Sequence, residues 1–151
     1  MLDLNHIERC RENNRLEAKL ATGGLPESIW ETYSSFANTL GGVILLGVEE
    51  LSDKTLRVQG LLNPEELAEE FWSMANNRRV VNRNILTRDQ VRVSEVPGGK
   101  IIMIEVPRAA RSQLPVYVGS DPFTGSYRRS GDGDYRCSRA EVAFLLKIRD
   151  S

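Results

Sequence analysis

The sequence predicts an α+β domain, a mixed β-sheet with three main helices packed on it. Three observations carry this. Helical periodicity recurs from Pro26 to Leu40, from Pro64 to Ala75 and from Ser138 to Ile148. Two-residue alternation marks several shorter segments. Between them Val43, Ile44, Leu45, Leu46 and Val48 form an apolar run without polar alternation, as expected of a strand covered on both faces. The 151 residues make a single domain, 1–151, large enough to bury roughly two thirds of its unfolded surface.

Taken in order, Leu2, Leu4, Ile7 and Cys10 fall at roughly helical spacing and predict a short leading helix. Arg15 to Leu20 alternates polar and apolar, a strand with Glu17 and Lys19 on one face. Ala21-Thr22-Gly23-Gly24 is a loop. Pro26 suits a first helical turn, where its missing N–H costs nothing. Ile29, Trp30, Tyr33, Phe36, Ala37 and Leu40 then share one helical face, with Glu27, Glu31, Ser34 and Ser35 opposite or beside it. Gly41-Gly42 turns the chain into the central strand, which presents Glu49, Glu50 and Asp53 at its far end. Leu56 to Gln59 is a short strand ended by Gly60. Asn63-Pro64-Glu65-Glu66 starts a helix with an Asn cap, Pro at the first position and a Glu able to bond back. Leu67, Phe71, Met74 and Ala75 are its buried stripe. Arg78 to Arg88 has no period and is a basic loop. Val91 to Val96 alternates, Pro97-Gly98-Gly99-Lys100 turns, and Ile101 to Val106 returns as a hairpin partner. Val116-Tyr117-Val118 predicts a short edge strand, and Asp121 to Gly125 a turn. Ser138 caps the last helix, with Glu141 at its third position and Val142, Leu145, Leu146 and Ile148 as the candidates for its inward face.

Composition is that of a globular protein, 40% hydrophobic and 27% charged. No apolar run approaches the ~20 residues of a membrane span. The start, Met1 to Asn5, lacks the basic region and apolar core of a signal peptide, so a cytoplasmic protein is expected. Cys10 and Cys137, without a short-spaced partner, read as free thiols. The net charge of −1 hides a division. Met1 to Asn77 carries 6 Lys/Arg against 13 Asp/Glu, a net of −7, whereas Arg78 to Arg139 carries 12 against 6, a net of +6. Such asymmetry fits a basic nucleic-acid face beside an acidic region able to bind metal. Charges that intermix on the folded surface are the plainer explanation.

Two constellations could carry chemistry. Glu12, Glu17 and Lys19, with Glu49, Glu50 and Asp53 further on, supply the carboxylates that would hold a hard divalent cation and a lysine that would offset phosphate charge. The plainer reading of Glu17-Ala18-Lys19 is a solvated strand face. Arg78, Arg79, Arg83, Arg88, Arg108, Arg111, Arg128, Arg129, Arg136 and Arg139 suit planar contact with phosphate, and Tyr117, Tyr127 and Tyr135 lie among them. Aromatic residues packing a sheet edge beside solvated arginines would look the same. His6 stands alone, and Gly41-Gly42 and Gly23-Gly24 lack the Gly-Lys-Ser/Thr ending of a phosphate-binding loop.

Glu12-Asn13-Asn14-Arg15-Leu16-Glu17-Ala18-Lys19, followed by Ser35-Phe36-Ala37-Asn38-Thr39-Leu40-Gly41-Gly42-Val43-Ile44-Leu45-Leu46-Gly47-Val48-Glu49-Glu50, resembles the Schlafen-type, divergent Alba-like domain. Val58-Gln59-Gly60-Leu61, Pro115-Val116-Tyr117 and Tyr127-Arg128-Arg129-Ser130-Gly131 extend the likeness over nearly the whole chain. The resemblance implies an α+β fold related to the nucleic-acid-binding Alba proteins. It also implies an N-terminal module of a longer bacterial transcriptional regulator or helicase-related protein, with further domains C-terminal to it. In animal Schlafen proteins the domain can act as a metal-dependent RNA endonuclease with three carboxylates. Glu12 and Glu17 match two of these by their spacing, and Glu49 or Glu50 would be the third. Glu stands here where the family has Asp after Gly-Val, and Ala18 where it has an aromatic. Schlafen nucleases pair two such domains, which a homodimer would supply.

The expectation is therefore a module that binds DNA or RNA, with Arg78, Arg79, Arg83, Arg108, Arg111, Arg128, Arg129 and Arg136 on phosphates and no cofactor required for binding. The alternative is an endonuclease using Mg²⁺ or Mn²⁺ held by Glu12, Glu17 and Glu50, with Lys19 near the scissile phosphate and Glu49 as a further candidate. A third reading is a protein-interaction or dimerisation domain.

Overall fold

The structure, a computed structural model, describes residues 2–151. Its centre is a four-stranded mixed sheet in the order β1-β2-β6-β5, formed by β1 (Leu16–Lys19), β2 (Gly42–Leu46), β5 (Val91–Val96) and β6 (Gly99–Val106). β1 runs parallel to β2, and β2–β6 and β6–β5 are antiparallel, with Ile44 opposite Ile104 and Val93 opposite Ile102. Period-two alternation sends Ile44, Leu46, Ile102, Ile104 and Val106 to one face. There they meet Ile29, Trp30, Tyr33 and Phe36 of α1 (Ser28–Asn38) and Ala68, Phe71 and Ala75 of α2 (Pro64–Ala75). Leu16, Ala18, Leu45, Ile101 and Met103 point the other way. They pack on Ile7 of an N-terminal 3-10 segment (Leu4–Arg9) and on Val48 and Leu56 of the small sheet formed by β3 (Val48–Glu50) and β4 (Leu56–Val58). β2 is thus covered on both faces, as its unalternating apolar run requires.

The rest of the chain closes over α1. The short helix α3 (Pro122–Gly125) leads into the hairpin of β7 (Tyr127–Ser130) and β8 (Gly133–Arg136), and α4 (Arg139–Asp150) ends the domain. α4 is capped as expected: the Glu141 N–H donates to Ser138 Oγ (3.1 Å) and the Ser138 N–H to Glu141 Oε1 (2.7 Å). Among the described residues no helix is long and apolar enough to cross a membrane.

Five local expectations differ from the structure. The leading helix is a kinked 3-10 segment, with His6 in a non-helical conformation. The central strand is two strands: Gly47 takes a φ of +91° and sends β3 into its own small sheet. Asn63 stands at the start of α2 but makes no side-chain capping bond. Val116 to Val118 contributes only isolated bridges, Val81 with Val118 and Tyr117 with Ser126. Ser34 and Ser35, expected on or beside the polar face of α1, are fully buried, because the β7–β8 hairpin covers that side.

Candidate functional site

The site is built around the outer edge of β1, which pairs only with β2. An open edge leaves backbone groups unpaired, and here Leu16 exchanges backbone hydrogen bonds with Asn13 of the preceding loop (3.1 and 3.4 Å) while side chains take further groups. The Ala18 N–H donates to Glu12 Oε2 (3.0 Å), and Arg129 Nη2 donates to the Leu16 carbonyl (3.1 Å). Glu17 and Lys19 share a face, as the alternation predicts. Lys19 Nζ lies 3.6 Å from Glu17 Oε2 and donates to Ser28 Oγ (3.1 Å) at the start of α1.

Arg129 ties this edge to the rest of the fold. Its side chain has 0% exposure, and it donates to Glu17 Oε1 (3.0 Å) and Asp134 Oδ1 (2.8 Å). It also donates to the Asn13 carbonyl from Nη2 (2.9 Å) and Nε (3.2 Å). Its guanidinium carbon sits 4.8 Å from the centre of the Phe36 ring. Asp134 accepts in addition from Thr32 Oγ1 (2.6 Å) and Ser35 Oγ (2.5 Å) of α1. Arg129, expected among the phosphate contacts, is instead an internal clamp whose donors are already bound.

Three carboxylates converge beside it. Glu12 comes from the loop before β1, Glu50 from β3 and Asp132 from the β7–β8 turn, and one oxygen of each lies within 4.8 Å of the others. The Glu12 carboxyl is pushed up to about 7, chiefly by burial. The charges of Glu17 and Glu50 push the same way, against the Ala18 N–H, which favours the ionised form. A carboxylate held close to others in this way is relieved by a cation. Three oxygen donors at this separation fit a hard divalent ion, whose oxygen ligands stand at roughly 2.0–2.6 Å from it. Mg²⁺ or Mn²⁺ there would be held by Glu12, Glu50 and Asp132, and would supply charge neutralisation for a bound phosphate. Glu17 lies close enough to act on Glu12 electrostatically, but it is pinned by Arg129 and Lys19. Glu49 points elsewhere, accepting from Arg57 Nη2 (2.8 Å) and Gln59 Nε2 (2.9 Å). Asp53 is engaged by Thr55.

Of the two adjacent glutamates, then, strand alternation selects Glu50. Asp132 was missed in the sequence reading. Its signal was the Gly131-Asp132-Gly133 turn, a hairpin tip that would carry the aspartate back over the sheet.

The arginines divide. Arg78, Arg79, Arg83, Arg108 and Arg136 are exposed and, among the described residues, have no carboxylate within ion-pair distance. Arg111, also exposed, donates from Nη1 to the Ser151 carbonyl (3.4 Å). Arg128 stands over Tyr135 with Nε 3.0 Å from Glu141 Oε2, out of hydrogen-bond alignment. Arg88 is paired with Glu69 and stacked on Trp72, and Arg139 lies over Phe123.

Comparison with known proteins adds a framework. The model of the Schlafen, AlbA_2 family matches residues 12–138. The solution NMR structure of the N-terminal domain of a RecG-related protein from Nitrosomonas europaea is similar, with a TM-score of 0.65 and 27% identity over 89% of this chain and 90% of that one. The crystal structure of the DIP2311 protein from Corynebacterium diphtheriae shares the fold, with a TM-score of 0.59 and 21% identity over 90% of this chain but only 27% of that one. No curated protein matches the sequence.

Proposed function

From a chain that belongs to the Schlafen, AlbA_2 family, we propose a nucleic-acid-binding domain of a longer bacterial protein, helicase-related or a transcriptional regulator, working in the cytoplasm. The observation that carries this is the exposed set Arg78, Arg79, Arg83, Arg108 and Arg136, which has no carboxylate partner among the described residues. Guanidinium groups without carboxylate partners keep their donors available for phosphate oxygens. Likeness to the N-terminal domain of a RecG-related protein supports the same reading. Contacts of this kind give affinity without sequence readout and a steep loss with salt. Gel shifts with tRNA and with short duplex DNA at rising salt test it. Neutralising Arg78, Arg79 and Arg83 together should weaken binding and flatten the salt dependence. Full binding by that triple variant would overturn the assignment.

A second reading rests on its own observation, the convergence of Glu12, Glu50 and Asp132. With Mg²⁺ or Mn²⁺ held there, the domain would cleave phosphodiester bonds. Lys19, beside Glu17 at the start of α1, would stabilise charge on the phosphate. A second copy of the domain would be needed to enclose the nucleic acid. Labelled tRNA incubated with Mn²⁺ or with EDTA separates the two readings. Cleavage that requires the metal and disappears in Asp132→Asn, with binding retained, makes the domain a nuclease. Glu17→Ala is a poorer choice of variant, because it would also leave Arg129 short of a partner.

A further inference from the structure

On the sheet face away from α1 and α2, a groove of about 680 Å³ opens along β1, β2 and β6. Its floor is aliphatic, formed by Leu16 and Val43, and its rim carries Arg11 and Arg15. Neither arginine is paired with a carboxylate among the described residues. Arg11 turns its Nη1 onto the Glu8 and Cys10 carbonyls, while the Arg15 side chain stands exposed. Glu105, on the groove wall, is engaged by Arg92. The groove therefore combines an apolar floor with a positively charged rim. Its volume lies within the roughly 300–1,000 Å³ of pockets that hold small ligands.

Arg11 and Arg15 flank Glu12 in one short loop. That loop presents its arginines to the groove, while the Glu12 carboxylate turns to the Ala18 N–H and to the carboxylates of Glu50 and Asp132. We infer that the groove is a binding site for a single-stranded nucleic-acid segment, with an unstacked base on the aliphatic floor and its phosphates on Arg11 and Arg15. A base in a duplex has both faces stacked and cannot reach such a floor, so the site selects single strands. This inference rests on the nucleic-acid reading above. It adds strand-selective contacts, on the loop that carries Glu12, to the phosphate contacts proposed for Arg78, Arg79 and Arg83.

Native cysteines report on the site. Cys10 lines the groove and is half-buried, whereas Cys137 is buried elsewhere and its thiol is pushed up to about 11, mainly by burial. The experiment measures N-ethylmaleimide labelling of the whole chain at low salt by peptide mass spectrometry. It is run with oligo(U), oligo(dT), a blunt DNA duplex or polyglutamate present, and nucleic-acid affinity is measured in parallel by anisotropy. A single strand at ten times its Kd should slow Cys10 labelling about tenfold. The duplex and polyglutamate should leave the rate unchanged, and Cys137 should stay unreactive throughout. Arg15→Glu should weaken single-strand affinity about tenfold and lower the slope of log K against log salt by about one. If single strands bind but neither shield Cys10 nor sense Arg15→Glu, the groove assignment falls while the nucleic-acid reading stands. If no nucleic acid binds, both fall. Shielding by polyglutamate equal to that by the oligonucleotides would overturn the site in favour of an acidic protein partner.

Discussion

Two residues show how much of the site rests on groups taken out of water. Arg129 and Arg128 are neighbours in β7, and strand alternation sends one inward and the other out. Arg129 therefore joins Glu17, 112 positions earlier, to Asp134 on the next strand, with its side chain at 0% exposure. Removing one member of a buried, hydrogen-bonded charge set strands the others. Arg129→Ala should destabilise the domain by about 3–5 kcal/mol in urea unfolding, whereas Arg78→Ala should leave the unfolding midpoint nearly unchanged. Equal midpoints for the two variants would contradict the clamp. Glu12 makes a pH prediction. Its folded-state value of about 7 lies above the ~4.3 of an unfolded glutamate. The folded state thus holds the extra proton, and the stabilisation is complete below the unfolded value and lost as pH rises through the folded one. Between about pH 4.5 and 7 the wild type should lose thermal stability that Glu12→Gln retains, and parallel melts at pH 5 and pH 7.5 would show it. The sequence could nominate Glu12 and Glu17 by spacing. It could not distinguish Arg129 from Arg128, because the partners that make one internal are brought together only by the fold.

At the level of elements, the segment from α1 through Gly41-Gly42 into β2 was readable as a helix, a turn and a buried strand, and it holds the rest of the chain in place. Asn38, at the end of α1, donates from Nδ2 to the carbonyls of Val116 (2.9 Å) and Tyr127 (3.0 Å) and accepts from the Val116 N–H (2.8 Å). Thr39 Oγ1 accepts from the Arg129 N–H (3.0 Å). The Asn-Thr pair thereby stitches the C-terminal third of the chain to α1, and with it the hairpin that carries Asp132. Asn38→Ala removes these three hydrogen bonds, with a longer fourth from Nδ2 to Ser34 Oγ (3.3 Å), and leaves part-buried backbone groups unpaired. At about 1 kcal/mol net for each, plus the cost of the stranded groups, the loss should reach about 3–4 kcal/mol. A change below about 1 kcal/mol in chemical denaturation would refute that role. Gly42 is needed for a different reason: a Cβ there would lie 2.8 Å from the Phe36 ring. Local pattern foretold the helices at α1, α2 and α4 and the β5–β6 hairpin, since each declares itself within about a dozen residues. It did not foretell the break at Gly47, because a positive φ leaves no mark on hydrophobic periodicity. Nor did it foretell burial of the serine side of α1, which depends on a hairpin roughly 90 positions away.

Across the whole molecule, the acidic first half and basic second half meet in specific pairs, Glu17 with Arg129 and Glu69 with Arg88. A further meeting draws on both halves: Glu12 and Glu50 from the first and Asp132 from the second converge from three separate stretches of chain, with Lys54 Nζ 3.8 Å from Glu50 Oε1. Because the three are assembled only in the folded state, a cation that binds them stabilises that state by mass action. At a free-ion concentration about 100 times Kd the gain is about 2.7 kcal/mol. For a domain of this size, each kcal/mol raises Tm by roughly 2–4 °C, so the expected rise is about 5–11 °C. Mn²⁺ or Mg²⁺ should therefore raise the wild-type Tm by this amount, reversibly with EDTA, while Glu50→Gln and Asp132→Asn should show little or no rise. Glu49→Gln is the internal control, because its carboxylate is held by Arg57 and Gln59 outside the cluster, and it should keep the full response. A wild-type Tm unmoved by either ion would remove the metal reading and leave the arginine surface as the basis of function. A rise that persists in both cluster variants would place the cation elsewhere on the fold.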